Sequence, residues 1–295
     1  MTSPLSPIRL SQFGLISVTG PDATTFLQAQ LTNSVTANRA VRAGWCTAKG
    51  RLIATLLVMP WGEGFLLQLS ADLAERVAKR LRMFVLRAKV KVEDVSDDWQ
   101  QWGLPVGDPG LATPPDVLGV DSSAAGLVVR LDERRLLFVQ PAALAAAEAE
   151  DSAAGIAAWT LDDIRSGLPT VTAATTELFI PQMLNLERLG AVDFKKGCYP
   201  GQEVVARTQY RGELKRRMVH AALAGDAQPV PAAGQAVYGD AFPGQEAGNV
   251  VNVARGGTDW EMLVVAPVPA AGQDEAVRIA PGGAVLSITR ARIEA

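Results

Sequence analysis

Residues 194–211 read FKKGCYPGQEVVARTQYR. Lys195 and Lys196 stand two or three residues before Cys198. Gly197 and Pro200-Gly201 turn the chain on either side, and Gln202-Glu203 opens a helical run through VVARTQY. Cysteine reacts as its thiolate, which neighbouring ammonium groups and the N–H groups of a helix start both favour. A reactive thiol is therefore one reading of Cys198. The other is a free cysteine packed as a small hydrophobe, with the glycines and proline serving only to turn the chain. Residue types alone weigh the two equally.

Residues 196–203, KGCYPGQE, match without a mismatch the signature Lys-Gly-Cys-Tyr-x-Gly-Gln-Glu. On that run the chain resembles the YgfZ family of folate-binding proteins, relatives of the glycine-cleavage T-protein. The likeness extends upstream through IPQMLNLERLGAVDF from Ile180 and downstream to Tyr210-Arg211-Gly212. SVTGPDATTFLQAQLTNSV from Ser17, CTAKGRLIATLLV from Cys46 and WTLDDIRSGLP from Trp159 are similar to family segments as well. It covers most of residues 10–217 and is weak beyond. The resemblance implies an α+β, T-protein-like fold: two α+β units around a central folate channel in residues 1–217, and a C-terminal β-barrel in residues 218–295.

The residue pattern supports that order of elements. LISVTG reads as a strand and residues 23–31 as a helix behind Pro21-Asp22. Residues 45–70 read as two strands joined by Trp-Gly-Glu-Gly. Ser70 or Asp72 caps a helix whose apolar positions Leu73, Val77, Leu81 and Val85 recur every four residues, and VLRAKVKVEDVS returns as a strand. Pro and Gly crowd residues 103–119 into a loop, LVVRLDERRLLFVQ makes a hairpin turning at Asp132-Glu133, and PAALAAAEAEDSAAG forms a helix. Beyond Gly225, Gly and Pro punctuate short apolar strands in an all-β texture.

Composition narrows the function classes. A chain of 295 residues that is 48% hydrophobic can bury a substantial core in two or three units. No apolar run approaches the ~18 residues needed to cross a bilayer, and MTSPLSPIRLSQ lacks the basic start and apolar core of a leader peptide. The expected setting is cytoplasmic, without a membrane, and the expected state is a monomer. Two cysteines are too few for a disulfide framework. With His220 as the sole histidine and no Cys-x-x-Cys pair, no metal site is expected, and any iron-sulfur chemistry must involve a partner. A net charge of −3 argues against tight direct binding of nucleic acid. The run Lys215-Arg216-Arg217 reads as a solvated edge more readily than as an anion site.

The resemblance also implies function and site residues. It points to a folate-binding accessory protein, taking tetrahydrofolate or a derivative, that supports iron-sulfur enzymes or their assembly factors, including enzymes that thiolate tRNA. Cys198 is the implied reactive group. Trp159 and Phe13 are the implied ring contacts, Phe13 standing where the family commonly carries tryptophan. Arg165, in a run similar to one lining the T-protein channel, is expected to pair with Glu187, Glu203 or ligand. Gln202 and Glu203 are candidates for the ring edge or an amine, and Lys49, Lys195 and Lys196 for the tail carboxylates. At Ala54-Thr55 the chain lacks the acidic pair by which T-proteins activate folate and the aminomethyl donor, so no aminomethyltransferase activity is expected. The alternative is a folate-dependent one-carbon transfer enzyme of aminomethyl or demethylase type, with Asp162, Asp163 or Glu203 as base.

Overall fold

The computed structural model describes residues 7–145, 152–212, 214–239, 245–268 and 276–289. In chain order its elements are Ile8–Arg9 (β1), Phe13–Thr19 (β2), Ala23–Gln28 (α1), Val41–Cys46 (β3), Leu52–Trp61 (β4), Gly64–Ser70 (β5), Ala71–Arg82 (α2), Lys91–Asp94 (β6), Trp99–Pro105 (β7), Val120–Ser123 (β8), Gly126–Arg130 (β9), Arg135–Pro141 (β10), Ala153–Arg165 (α3), Gln202–Arg211 (α4), Arg216–Leu223 (β11), Ala236–Gly239 (β12), Glu246–Gly256 (β13), Asp259–Pro267 (β14), Val277–Arg278 (β15) and Ser287–Thr289 (β16). They divide between two compact units, each assembled from separated segments. One unit holds Met1–Trp45, Ala54–Ile156 and Lys195–Tyr199; the other holds Cys46–Ile53, Ala157–Phe194 and Pro200–Ala295.

The first unit carries two five-stranded sheets, ordered β3-β4-β5-β2-β6 and β1-β7-β10-β9-β8. In the former, β2 pairs antiparallel with β5, Phe13 opposite Ser70 and Val18 opposite Phe65. Leu73, Ala74, Val77, Ala78 and Leu81 give α2 its buried face, the four-residue spacing expected of an amphipathic helix. Gly14 lets that helix approach β2, since a Cβ there would lie 2.6 Å from the Ala74 Cβ. In the latter sheet, the β9–β10 hairpin turns where Asp132 accepts from the N–H groups of Arg134 and Arg135. Its carboxylate also takes the Arg135 guanidinium at 2.7 Å. Burial pushes the Asp132 carboxyl up, but the charge and hydrogen bonds of Arg135 and the Arg134 N–H outweigh it and leave it below the ordinary value.

The second unit is built on a six-stranded sheet ordered β15-β12-β13-β14-β11-β16. Val219, Ala221, Val250, Met262 and Val264 contribute to its buried face. Its two edge strands are linked: the bridge Arg278↔Val285 and the bond from Leu286 N to Val277 O at 2.7 Å set residues 284–286 against β15, and the chain then runs on into β16.

Several sequence expectations shift, and α1 ends at Gln28 rather than Leu31. Helix α2 ends at Arg82, so Val85 lies in the following turn rather than on the apolar stripe. Only Lys91–Asp94 of VLRAKVKVEDVS is strand. The loop expected from residue 103 begins after Pro105, because β7 is held along its length by β10. Of the helix expected over 141–155, Ala142–Leu144 form a short 3-10 turn, 146–151 lie outside the described residues, and α3 begins at Ala153.

Candidate functional site

In the first unit, residues 195–199 form a turn pinned on both sides of Cys198. The Lys196 ammonium donates to the carbonyls of Gln28 at 2.6 Å and Leu31 at 2.7 Å, at and just beyond the C-terminus of α1. Carbonyls there have no partner within the helix, and a cation meets both their hydrogen-bonding need and the negative end of the helix dipole. The same ammonium lies 5.3 Å from the centroid of the buried Tyr199 ring, within cation–π range. Between these anchors Cys198 is exposed. Lys195 is exposed alongside, and Gly197 has open space where a Cβ would stand. Phe13, half-buried at the start of β2, accepts at its carbonyl from the Gln101 amide at 2.8 Å. Ala54 is buried in β4 and Thr55 half-buried beside it.

In the second unit, the start of α4 packs against the turn of residues 47–51. That turn is closed by Thr47 N to Arg51 O at 2.8 Å and Gly50 N to Thr47 O at 2.9 Å. Gly201 sits in the left-handed region at φ 83°, where a Cβ would lie 2.5 Å from Thr47 O and 2.6 Å from the Gly50 Cα. Gly50, at φ 72°, faces Val204 as closely, a Cβ there lying 2.9 Å from the Val204 Cβ. Side chains at either glycine would force the two segments apart. Two separate runs of sequence, AKGR and PGQE, are thus parts of one close contact. It places exposed Lys49 on a turn seated against the helix start that carries Gln202 and exposed Glu203. Glu203 lies in the first turn of α4, where the helix dipole favours a carboxylate.

Two charged clusters in this unit were not legible from spacing. Arg165, expected to pair with Glu187, Glu203 or ligand, pairs with neither of those glutamates but with Glu261 on β14, through Nε at 3.0 Å and Nη2 at 2.5 Å. His220 Nε2 on β11 lies 3.0 Å from Glu261 Oε2, the oxygen that also takes Arg165 Nε. The hydrogen bond from Arg165 above all, and that from His220, hold Glu261 below the usual carboxylate value against the opposing effect of burial. Glu187 pairs with Arg217 at 2.7 Å, and Arg217 also donates to Asn185 Oδ1. Asn185, buried at φ 58°, donates to the Met218 carbonyl at 2.9 Å. Arg217 therefore fastens β11 to the segment before the cysteine turn and is not a solvated edge residue. Residues 96 positions apart, as Arg165 and Glu261 are, cannot be matched by local periodicity, and no nearby signal flags Glu261. Trp159 is buried in α3 with 3% of its surface accessible.

No protein-family model matches the chain. It is 34% identical to the tRNA-modifying protein YgfZ of Photorhabdus laumondii over 248 residues, 79% of this chain and 75% of that protein. The chain belongs to the YgfZ family. The tRNA-modifying protein YgfZ of Serratia proteamaculans is 30% identical over 292 residues, 89% of this chain and 84% of its own length. Among solved structures, the glycine cleavage system aminomethyltransferase T from Bartonella henselae superposes with a TM-score of 0.75 over 98% of this chain and 86% of that one, at 16% identity. That likeness is one of fold: a mixed α/β architecture of the T-protein kind.

Proposed function

We propose that this YgfZ-family chain is a folate-binding accessory protein that supports iron-sulfur enzymes, including those that thiolate tRNA, with Cys198 as its reactive group. The observation that carries the reading is the turn of residues 195–199. An exposed thiol is held between a lysine tied to two carbonyls and a buried tyrosine. A thiol kept only for packing would be inside. The relatives' name, tRNA-modifying protein, agrees with a role in that pathway of chemistry. The linked edge strands of the C-terminal sheet support reading residues 218–295 as a β-barrel.

The donor set of the second unit fits the polar end of a folate. Lys49 is exposed on a turn that the Gly50–Gly201 contact holds against the start of α4. In this reading Lys49 binds a tail carboxylate, while Gln202 and Glu203 meet the ring edge or an amine. Trp159 supplies apolar contact near the ring, and Arg165 acts through Glu261 to position the sheet. In the first unit, Phe13 has less area than tryptophan and no indole donor, and Lys195 and Lys196 set the charge around the thiol. Bound tetrahydrofolate would supply a one-carbon carrier. With Ala54 and Thr55 where an acidic pair would serve as general base, this chain does not transfer aminomethyl groups.

Calorimetric titration with tetrahydrofolate under reducing conditions tests the folate reading. Saturable one-to-one binding is expected, and no heat at high micromolar ligand overturns it. For the thiol, Cys198→Ala is expected to remove support for the dependent iron-sulfur enzymes in cells that lack the native protein. Unchanged enzyme activities would end that role.

A further inference from the structure

The chain's net charge of −3 hides a concentration of the opposite sign. Between Arg76 and Lys91 there are seven lysines and arginines and no acid, so the remaining residues carry −3 − 7 = −10. Arg76, Lys79 and Arg80, together with Glu75 and Met83, line a groove of about 440 Å³ on the outer face of α2. The spacing of three, four and seven residues puts them on one face of the helix.

The turn that follows is apolar and points outward. Met83 is 67% exposed, Phe84 41% and Leu86 91%. Leu86 is also held at φ 32°, a left-handed conformation that is strained for a leucine. The tip is nevertheless built firmly. Phe84 meets the edge of the buried Trp45 ring at 6.2 Å between centroids, and Arg80 lies over the same ring at 5.8 Å. A strained leucine held in water on an anchored base, beside a groove lined mainly by the apolar stems of cationic side chains, is arranged for contact. Exposed apolar residues ringed by polar ones mark interaction sites, and methionine and leucine suit a partner's apolar recess.

We infer that α2 and the turn of residues 83–86 form a docking surface for an acidic protein partner, with Met83 and Leu86 entering an apolar recess and the helix cations facing its carboxylates. Charge complementarity selects the acidic partner. The aliphatic anchors favour protein over nucleic acid, whose phosphates answer the cations but offer Leu86 nothing. The inference rests on the preceding reading for the partner's class, an iron-sulfur enzyme.

The test uses the full chain and a purified tRNA-thiolating iron-sulfur enzyme, with affinity measured by interferometry at low and high ionic strength. Wild type is expected to bind, less tightly as salt rises. Lys79→Glu with Arg87→Glu, and separately Met83→Asp with Leu86→Asp, are each expected to weaken binding by at least about tenfold, with unfolding temperature and folate titration unchanged. Binding that neither double variant alters overturns the surface. No binding of the wild type to the enzyme overturns the occupant, and loss by the same variants of binding to a tRNA transcript or to phosphatidylserine vesicles would name the replacement. A chain that docks through this tip yet takes up no tetrahydrofolate breaks the folate reading and leaves the docking surface standing.

Discussion

Cys46 and Cys198 have similar neighbours in sequence, Cys-Thr-Ala-Lys-Gly in one case and Lys-Gly-Cys-Tyr in the other, and the fold treats them in opposite ways. Cys46 ends β3 with 2% of its surface accessible, and burial pushes its thiol up to about 12. Cys198 stands in water while the residues on either side of it are tied down. A lysine nearby in sequence is thus a poor guide to thiol chemistry. What separates the two is the direction in which the surrounding backbone is anchored: inward at Cys46 by the sheet, outward at Cys198 by a turn whose flanking side chains point in.

The comparison breaks most visibly in alkylation. At pH 8 a thiol with a pKa of about 12 is ionised in roughly one molecule in 10⁴, and burial shields even that fraction. Iodoacetamide is therefore expected to modify Cys198 at least ~10³ times faster than Cys46 in the folded protein, with the two rates converging in denaturant. Mass-spectrometric peptide mapping over time reads both. Equal native rates would show that the β3 end opens readily and that Cys46 belongs in the chemistry.

The local half of this contrast is legible in the amino-acid sequence. The turn at residues 194–201, the helix behind it and the amphipathic α2 all follow from local chemistry: Gly and Pro punctuation, and apolar residues at helical spacing. The tie of Lys196 to Gln28 and Leu31 spans more than 160 positions, and a lysine exposed in water looks the same in sequence as one capping a distant helix. The pairing of Arg165 is hidden for the same reason. Its run suggests nearby acids, yet Glu261 is 96 positions away, on β14. Gly50 and Gly201 fall between these cases: each is visible as a turn residue, but only the fold shows that they leave room for each other.

Those glycines sharpen the comparison on the scale of folding energy. Gly201→Ala combines a left-handed backbone with a Cβ 2.5 Å from a carbonyl oxygen, so urea unfolding is expected to show a loss of ~3 kcal/mol. Gly197→Ala, beside Cys198 with open space around it, is expected to change stability by less than ~0.5 kcal/mol and to leave the alkylation rate intact. Lys196→Met comes between them, at ~1–2 kcal/mol, because it leaves two carbonyls without their charged donor. If Gly197→Ala proves the more damaging of the two alanines, the anchors have been assigned to the wrong side of the cysteine.

A further small effect lies in acid and separates both thiols from the carboxylate clusters. Glu261 is held below the usual carboxylate value of 4.5, first by the hydrogen bond from Arg165. A carboxyl whose pKa is lower folded than unfolded contributes stability that is fully present above the unfolded value and is lost as pH falls through the folded one. Wild-type stability should therefore decline below pH 4.5, and Arg165→Met should flatten that decline by removing its largest cause. Because the Arg165 side chain is half exposed, the difference between the two proteins at neutral pH should not exceed ~1 kcal/mol. Urea unfolding between neutral pH and about pH 3 measures it. An acid decline that survives in Arg165→Met would pass to Asp132, whose carboxyl is held low by Arg135 in the other unit, and Asp132→Asn would then remove it.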